Sequence, residues 1–61
     1  MEENQSVTIW KLVKNTGIWV VVRTYDFFYA RDVYGFTDIG KYKHIKGEVF
    51  AIFNHGTNPN K

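Results

Sequence analysis

Two apolar runs joined by a turn tripeptide lie between Val7 and Tyr25 of this chain. The first run reads VTIWKLVK, the second reads IWVVVRTY, and Asn15-Thr16-Gly17 separates them. β-Branched and aromatic residues on both sides of a short segment that ends in glycine are typical of a β-hairpin. Glycine suits the last position of such a loop because it adopts the left-handed backbone conformation without steric cost. The sequence therefore predicts a sheet protein built on this antiparallel hairpin.

The register of the predicted hairpin decides which side chains share a face. A three-residue loop places Thr8 opposite Thr24 and Trp10 opposite Val22. The other face also carries apolar side chains, so we expect it to be partly covered or to form a contact surface. This second face consists of Val7, Ile9, Val13, Trp19, Val21 and Tyr25, interrupted by Lys11 and Arg23. We expect the core to consist of one face of the hairpin, namely Trp10, Leu12, Ile18, Val20 and Val22.

The segment from Asp26 to Tyr34 (DFFYARDVY) is compatible with a strand or with a helix. Its Phe, Tyr and Val residues favour a strand. In a helix, Asp26 would cap the first turn and Gly35 would end the last one. Phe27, Ala30 and Tyr34 would then lie along one stripe. We favour the strand and keep the helix as the alternative.

Two further strands are predicted near the end of the chain. Residues 41–45 (KYKHI) and 48–54 (EVFAIFN) are joined by Lys46-Gly47, a candidate for a tight turn. Five short antiparallel strands close readily into a barrel, which shortens the exposed edges. We therefore expect an all-β fold, a small five-stranded antiparallel barrel or strongly curled sheet of SH3-like or OB-like form. The alternative is an α+β fold with a short helix at 26–34 on a three- or four-stranded antiparallel sheet.

Polar segments flank the predicted fold. We expect residues 1–5 to form a disordered leader, residues 6–54 a single β domain, and residues 55–61 a disordered tail. MEENQS is acidic and polar, unlike a signal peptide, and no apolar run approaches the roughly 18 residues that span a bilayer. These features predict a cytoplasmic protein without a membrane partner.

Chemistry-bearing residues are sparse. The chain has no cysteine, and His44 and His55 are its two imidazoles, so a tetrahedral metal site lacks ligands. The serine and threonine residues lie in no nucleophile elbow, and the carboxylates are scattered. Glycine patterns that bind phosphate are absent from the sequence. We therefore expect no catalytic residues, no metal and no cofactor, and a protein that is not an enzyme.

Aromatic residues make up 18% of the 61 residues. They either pack the second side of the curled sheet or a dimer seam, or form an exposed patch. Tyr, Trp and Arg also dominate protein interfaces. We expect a protein-interaction module, a modulator or inhibitor of a larger protein that binds through an aromatic face or an open strand edge. A homodimer is also expected to be possible, because an uncovered apolar face pairs readily with its copy. The predicted partner-binding residues are Trp19, Arg23, Tyr25 and Tyr29.

A second hypothesis concerns the basic strand at 41–46. The chain carries a net charge of +2 and has a pI of about 9.0, which permits an anionic partner. Cations beside an aromatic ring suit both a phosphate backbone and an unstacked base. Lysines also protect an edge strand from aggregation, which is the simpler interpretation. The predicted nucleic-acid-binding residues of this alternative are Lys41, Tyr42, Lys43, His44 and Lys46.

Overall fold

Four strands and one helix make up the computed structural model, which describes residues 5–60. The strands form one antiparallel sheet in the order β2-β1-β4-β3, so β1 and β4 are central and β2 and β3 are the edges. The single helix follows β2 and packs on one face of the sheet. The elements are β1 (Ser6–Val13), β2 (Ile18–Asp26), α1 (Phe27–Tyr34), β3 (Lys41–Ile45) and β4 (Glu48–Asn54).

The favoured five-stranded barrel is wrong. The sheet is open and has four strands, and the segment expected to be the fifth strand is α1. The structure fits the α+β alternative in its four-stranded form. A helix laid across one face buries apolar side chains that a barrel would otherwise have to enclose, so the sheet has no need to close.

Local signals at both ends explain why α1 is a helix. The Asp26 side chain accepts a hydrogen bond from the Tyr29 backbone N–H at 2.9 Å, which satisfies a donor of the first turn. Gly35 has a φ of 78° and donates its N–H to the Arg31 carbonyl at 2.8 Å. The two caps and the burial of Phe27 together stabilise the helix by more than the intrinsic preference of Phe and Tyr stabilises a strand.

The core lies between α1 and the sheet, on the face opposite to the predicted one. Trp10 is buried on the other face, but Ile18, Val20 and Val22 are exposed. The prediction failed because β2 is an edge strand and the helix covers the alternate side chains of β1. The buried cluster consists of Val7, Ile9, Phe27, Ala30, Phe36 and Ile52.

A β-bulge changes the hairpin register halfway along. Thr8 lies opposite Thr24, as predicted, but Trp10 lies opposite Val21 because the register shifts between Ile9 and Trp10. The connecting turn spans four residues, 14–17, and Gly17 has the expected left-handed backbone with a φ of 71°. The longer turn shifts the pairing by one position between the turn and Trp10. The extra residue of the bulge restores the predicted register from Ile9 to Ser6.

The segments outside the sheet bear on the predicted domain limits. Residues 1–4 and 61 lie outside the described range, so most of the predicted leader does too. Residues 55–60 form turns that return to the sheet, through hydrogen bonds described below. The predicted disorder of 55–61 stays a prediction.

Candidate interaction surface

β2 exposes large aliphatic side chains along most of its length. Ile18, Val20, Val21 and Val22 have exposed fractions between 41% and 56%. Single exposed aliphatic side chains are common on protein surfaces, but four in one segment of five residues are not. The bulge contributes to this exposure, because it sets Val21 and Val22 together opposite Trp10. This cluster of four, Ile18, Val20, Val21 and Val22, is called the β2 aliphatic cluster below.

The backbone of β2 adds a second property to the same segment. Within residues 5–60 no strand pairs with its outer edge, since β1 occupies the inner one. The N–H and C=O groups of an edge strand are a template for pairing with another chain. The β2 aliphatic cluster therefore combines apolar side chains with backbone groups that can extend the sheet.

Three of the four predicted partner-binding residues lie together beside this cluster. The Arg23 guanidinium lies 6.0 Å from the centre of the Tyr25 ring, and Tyr25 stacks on Tyr29 at 4.8 Å between ring centres. Tyr29, on α1, is 51% exposed. These three residues meet because Asp26 caps the helix immediately after Tyr25, and the first turn of the helix brings Tyr29 back onto the Tyr25 ring.

Trp19, the fourth predicted residue, lies on the opposite face of the sheet. Its ring centre is 5.6 Å from that of Tyr42, and Tyr42 is in edge contact with Phe53 at 6.1 Å. β2 and β3 are opposite edges of the sheet, so these long side chains meet above its centre. Trp19 therefore belongs to a different aromatic group from Tyr25 and Tyr29.

Tyr34 packs against the partly buried Tyr25, with 5.9 Å between the ring centres. Its hydroxyl lies 3.4 Å from the Tyr25 hydroxyl, and its ring contacts Phe36 and Phe50. Burial, assisted by the hydrogen bond to Tyr25, raises the pKa of Tyr34 to about 12. Neutral tyrosine is therefore the form that this packing favours.

The predicted nucleic-acid-binding residues are divided between the two faces of β3. Tyr42 is 61% exposed and, like His44, lies on the face away from α1, whereas alternation places Lys41 and Lys43 on the helix side. The Lys43 ammonium donates to the Gly35 carbonyl at 3.2 Å, which confirms its direction. Lys46 lies in the turn after β3. The strand thus separates its aromatic ring from two of its cations.

The β2 aliphatic cluster is absent from the predicted sites. Three of its members, Ile18, Val20 and Val22, were expected in the core, and Val21 was assigned to the second face. The sequence signal for this cluster is a run of apolar residues that occupies both faces of the strand. A central strand gives the same pattern, however, so only the strand order shows that this one is exposed.

Other kinds of site find little support in the described part of the chain. No group of three or more His, Asp or Glu side chains within residues 5–60 could hold a metal ion. Over the same residues, no helix has the length and apolar character needed to cross a membrane. The arrangement offers exposed apolar side chains, aromatic rings and the backbone groups of an edge strand.

The chain was compared with protein-family models, curated proteins and solved structures, and none of them matches it.

Proposed function

We propose that this chain is a non-enzymatic protein-binding module that docks onto a larger protein through β2. The observation that carries the proposal is the β2 aliphatic cluster, which exposes four large side chains on a sheet edge. Water contact with these groups is unfavourable, and burial under a partner removes it. Modulation or inhibition of that partner is the biological role we infer for this module.

Strand addition is the binding mode that the surface favours. A partner segment lying along the outer edge of β2 gains backbone hydrogen bonds, while Val20 and Val21 reach to alternate faces of the extended sheet. Backbone bonds supply affinity and the side-chain contacts supply selectivity. Arg23 and Tyr29 stand at the end of this segment, where a polar rim is expected in an interface.

The test compares two valines of equal exposure. Val21 on β2 is 56% exposed and Val33 on α1 is 54% exposed. We expect Val21→Lys to abolish capture of the partner from native extract, because it places a charge in an apolar contact. Val33→Lys is the matched control and should retain capture, since lysine is well tolerated on an exposed helix face. Identical protein profiles for wild type and both variants would overturn the proposal.

Nucleic-acid binding by β3 is a second candidate, supported by the high exposure of Tyr42 between two lysines. A base stacked on Tyr42 would leave the phosphates to reach Lys41 or Lys46 around the sheet edge. We expect affinity for a single-stranded oligonucleotide to fall with salt, and the slope to decrease by about 0.7 for each lysine changed to glutamine. Arg31→Gln, which removes a cation from α1, is the control. Absence of binding at low salt would eliminate this candidate.

A further inference from the structure

The segment 55–60 bends back onto β2 through a series of short-range hydrogen bonds. The Thr57 N–H donates to the Asn54 carbonyl at 3.0 Å, which starts the turn. The Asn58 side chain then accepts from the Asn60 N–H at 2.9 Å. This second turn is of the kind that Asx residues form with their own backbone, and it presents the Asn60 side chain to the edge strand.

Asn60 binds both backbone groups of one β2 residue. Its side-chain oxygen accepts from the Trp19 N–H at 2.7 Å, and its side-chain nitrogen donates to the Trp19 carbonyl at 2.8 Å. A residue in an antiparallel hydrogen-bonded pair makes the same exchange with its partner. The amide of Asn60 thus occupies the position of one residue of an added strand.

The same contact shows which groups of β2 face outward. Bonded and non-bonded pairs alternate along an antiparallel ladder. Trp19 points its N–H and C=O away from β1, and the same pairing register continues to Val21, so alternation predicts the same outward direction at Val21, next to the bulge. A partner strand paired with Val21 and extended toward the hairpin turn would meet Asn60 at Trp19.

We propose that the segment 55–60 competes with the partner for the outer edge of β2 and must leave Trp19 when a strand is added. This inference rests on the proposed function and describes its regulation. Displacement exchanges two hydrogen bonds of Asn60 for two hydrogen bonds of the incoming strand. The hydrogen bonds at Trp19 therefore contribute little to the free-energy difference between the two states. His55 and Gly56 form the hinge, since Gly56 has a φ of 96° and His55 Nδ1 lies 3.5 Å from the Thr8 hydroxyl.

Loose packing beneath the segment is consistent with its release. A cleft of about 380 Å³ lies between it and the sheet, lined on the sheet side by Thr8, Trp10, Val21 and Thr24. The indole Nε1 of Trp10 is buried and has no hydrogen-bond partner among residues 5–60. A close-packed segment would fill such a space. Because the segment 55–60 leaves it open, few packing contacts are lost when the segment leaves the sheet.

The test uses the full chain and a labelled peptide, SVTIWKLV, as the strand probe. This peptide has the sequence of β1, which pairs antiparallel with the inner edge of β2. We expect Asn60→Ala to bind it roughly tenfold more tightly than wild type, the change expected for two released hydrogen bonds. Asn15→Ala, an equal truncation in the exposed hairpin turn, should leave the affinity unchanged. Amide exchange at Trp19 should be faster in Asn60→Ala.

Each other outcome has a defined meaning. Equal affinities for wild type and Asn60→Ala, both lost with Val21→Lys, would overturn the competition and leave β2 as the binding edge. An unchanged exchange rate at Trp19 would also overturn it, because Asn60 would then not protect that amide. No binding by either protein would overturn both the competition and strand addition at this edge.

Discussion

β1 and β2 are two arms of one hairpin and have similar apolar sequences, yet their burial is opposite. Val7 and Ile9 on β1 are fully buried, whereas Val20, Val21 and Val22 on β2 are exposed by 41% or more. The difference comes from position, because β1 lies between β2 and β4 and under α1, while β2 has one strand neighbour in the described residues. Equal hydrophobicity therefore produces a core in one strand and a surface in the other.

This contrast distinguishes residues that hold the fold from residues that are available for binding. Substitutions in the buried half of β1 should change stability, and substitutions in the β2 aliphatic cluster should change binding. The predictions below test that separation.

The largest effect is expected for Val7→Ala compared with Val21→Ala. Val7 is fully buried and Val21 is 56% exposed, so the same two methyl groups are removed from the two environments. We expect Val7→Ala to lower the free energy of unfolding by about 2 kcal/mol, and Val21→Ala by about 0.5 kcal/mol or less. Urea unfolding measures both. Equal losses would contradict the contrast between the strands.

The next effect concerns the helix that buries β1. Asp26→Ala removes the side chain that accepts from the Tyr29 N–H. We expect a loss of about 1 kcal/mol in the free energy of unfolding, typical of a lost N-cap. Asp26→Asn should retain most of it, because asparagine caps comparably well. If alanine and asparagine destabilise equally, the cap does not hold α1.

A smaller effect is expected at high pH. The pKa of Tyr34 is raised to about 12, above its ordinary value of 10.0, mainly by burial. The raised pKa contributes to the free energy of unfolding, because ionisation of this hydroxyl is less favourable in the native state than in the unfolded state. This contribution is complete below pH 10 and is lost as pH rises toward 12. We expect Tyr25→Phe to lower the pKa of Tyr34 by removing its hydrogen bond. Ultraviolet titration of the tyrosines, alongside Tyr34→Phe, measures the change. A Tyr34 pKa unaltered by Tyr25→Phe would contradict it.

The smallest effect is expected where β1 extends beyond the helix. The Lys11 ammonium lies 4.0 Å from the Glu48 carboxylate, and both side chains are at least 40% exposed. We expect Lys11→Gln to change the free energy of unfolding by less than about 0.5 kcal/mol, with the difference vanishing at high salt. A larger, salt-independent loss would show that, on the face of β1 that α1 covers, burial continues past Ile9 to Lys11.

Local features of the fold were predictable from the sequence. Gly17 has the left-handed backbone that the hairpin requires, and β3 and β4 occupy the residues predicted for them. Whether Asp26–Tyr34 forms a strand or a helix was harder to predict from the sequence. Its caps and its stripe of Phe27 and Ala30 were visible, but Phe, Tyr and Val satisfy a strand equally well until a core is present to bury one side.

The candidate site was predictable only in part. Arg23, Tyr25 and Tyr29 meet because the helix starts directly after β2, but Trp19 was grouped with them incorrectly in space. The bulge opposite Trp10 shifts the faces along β2, and no residue type there signals it. Asn60 lies far from Trp19 in sequence, so their contact depends on the folded sheet.

The hairpin, the left-handed glycine at its turn and the bounds of β3 and β4 depend on neighbouring residues, and the amino-acid sequence of this protein determines them directly. Strand order, the covered face and the exposure of β2 were decided by tertiary structure. The physical reason is that an apolar side chain gains from burial on either face, so hydrophobicity alone does not select one. The selection comes from the pairing of β1 with β4 and the docking of Phe27 and Ala30.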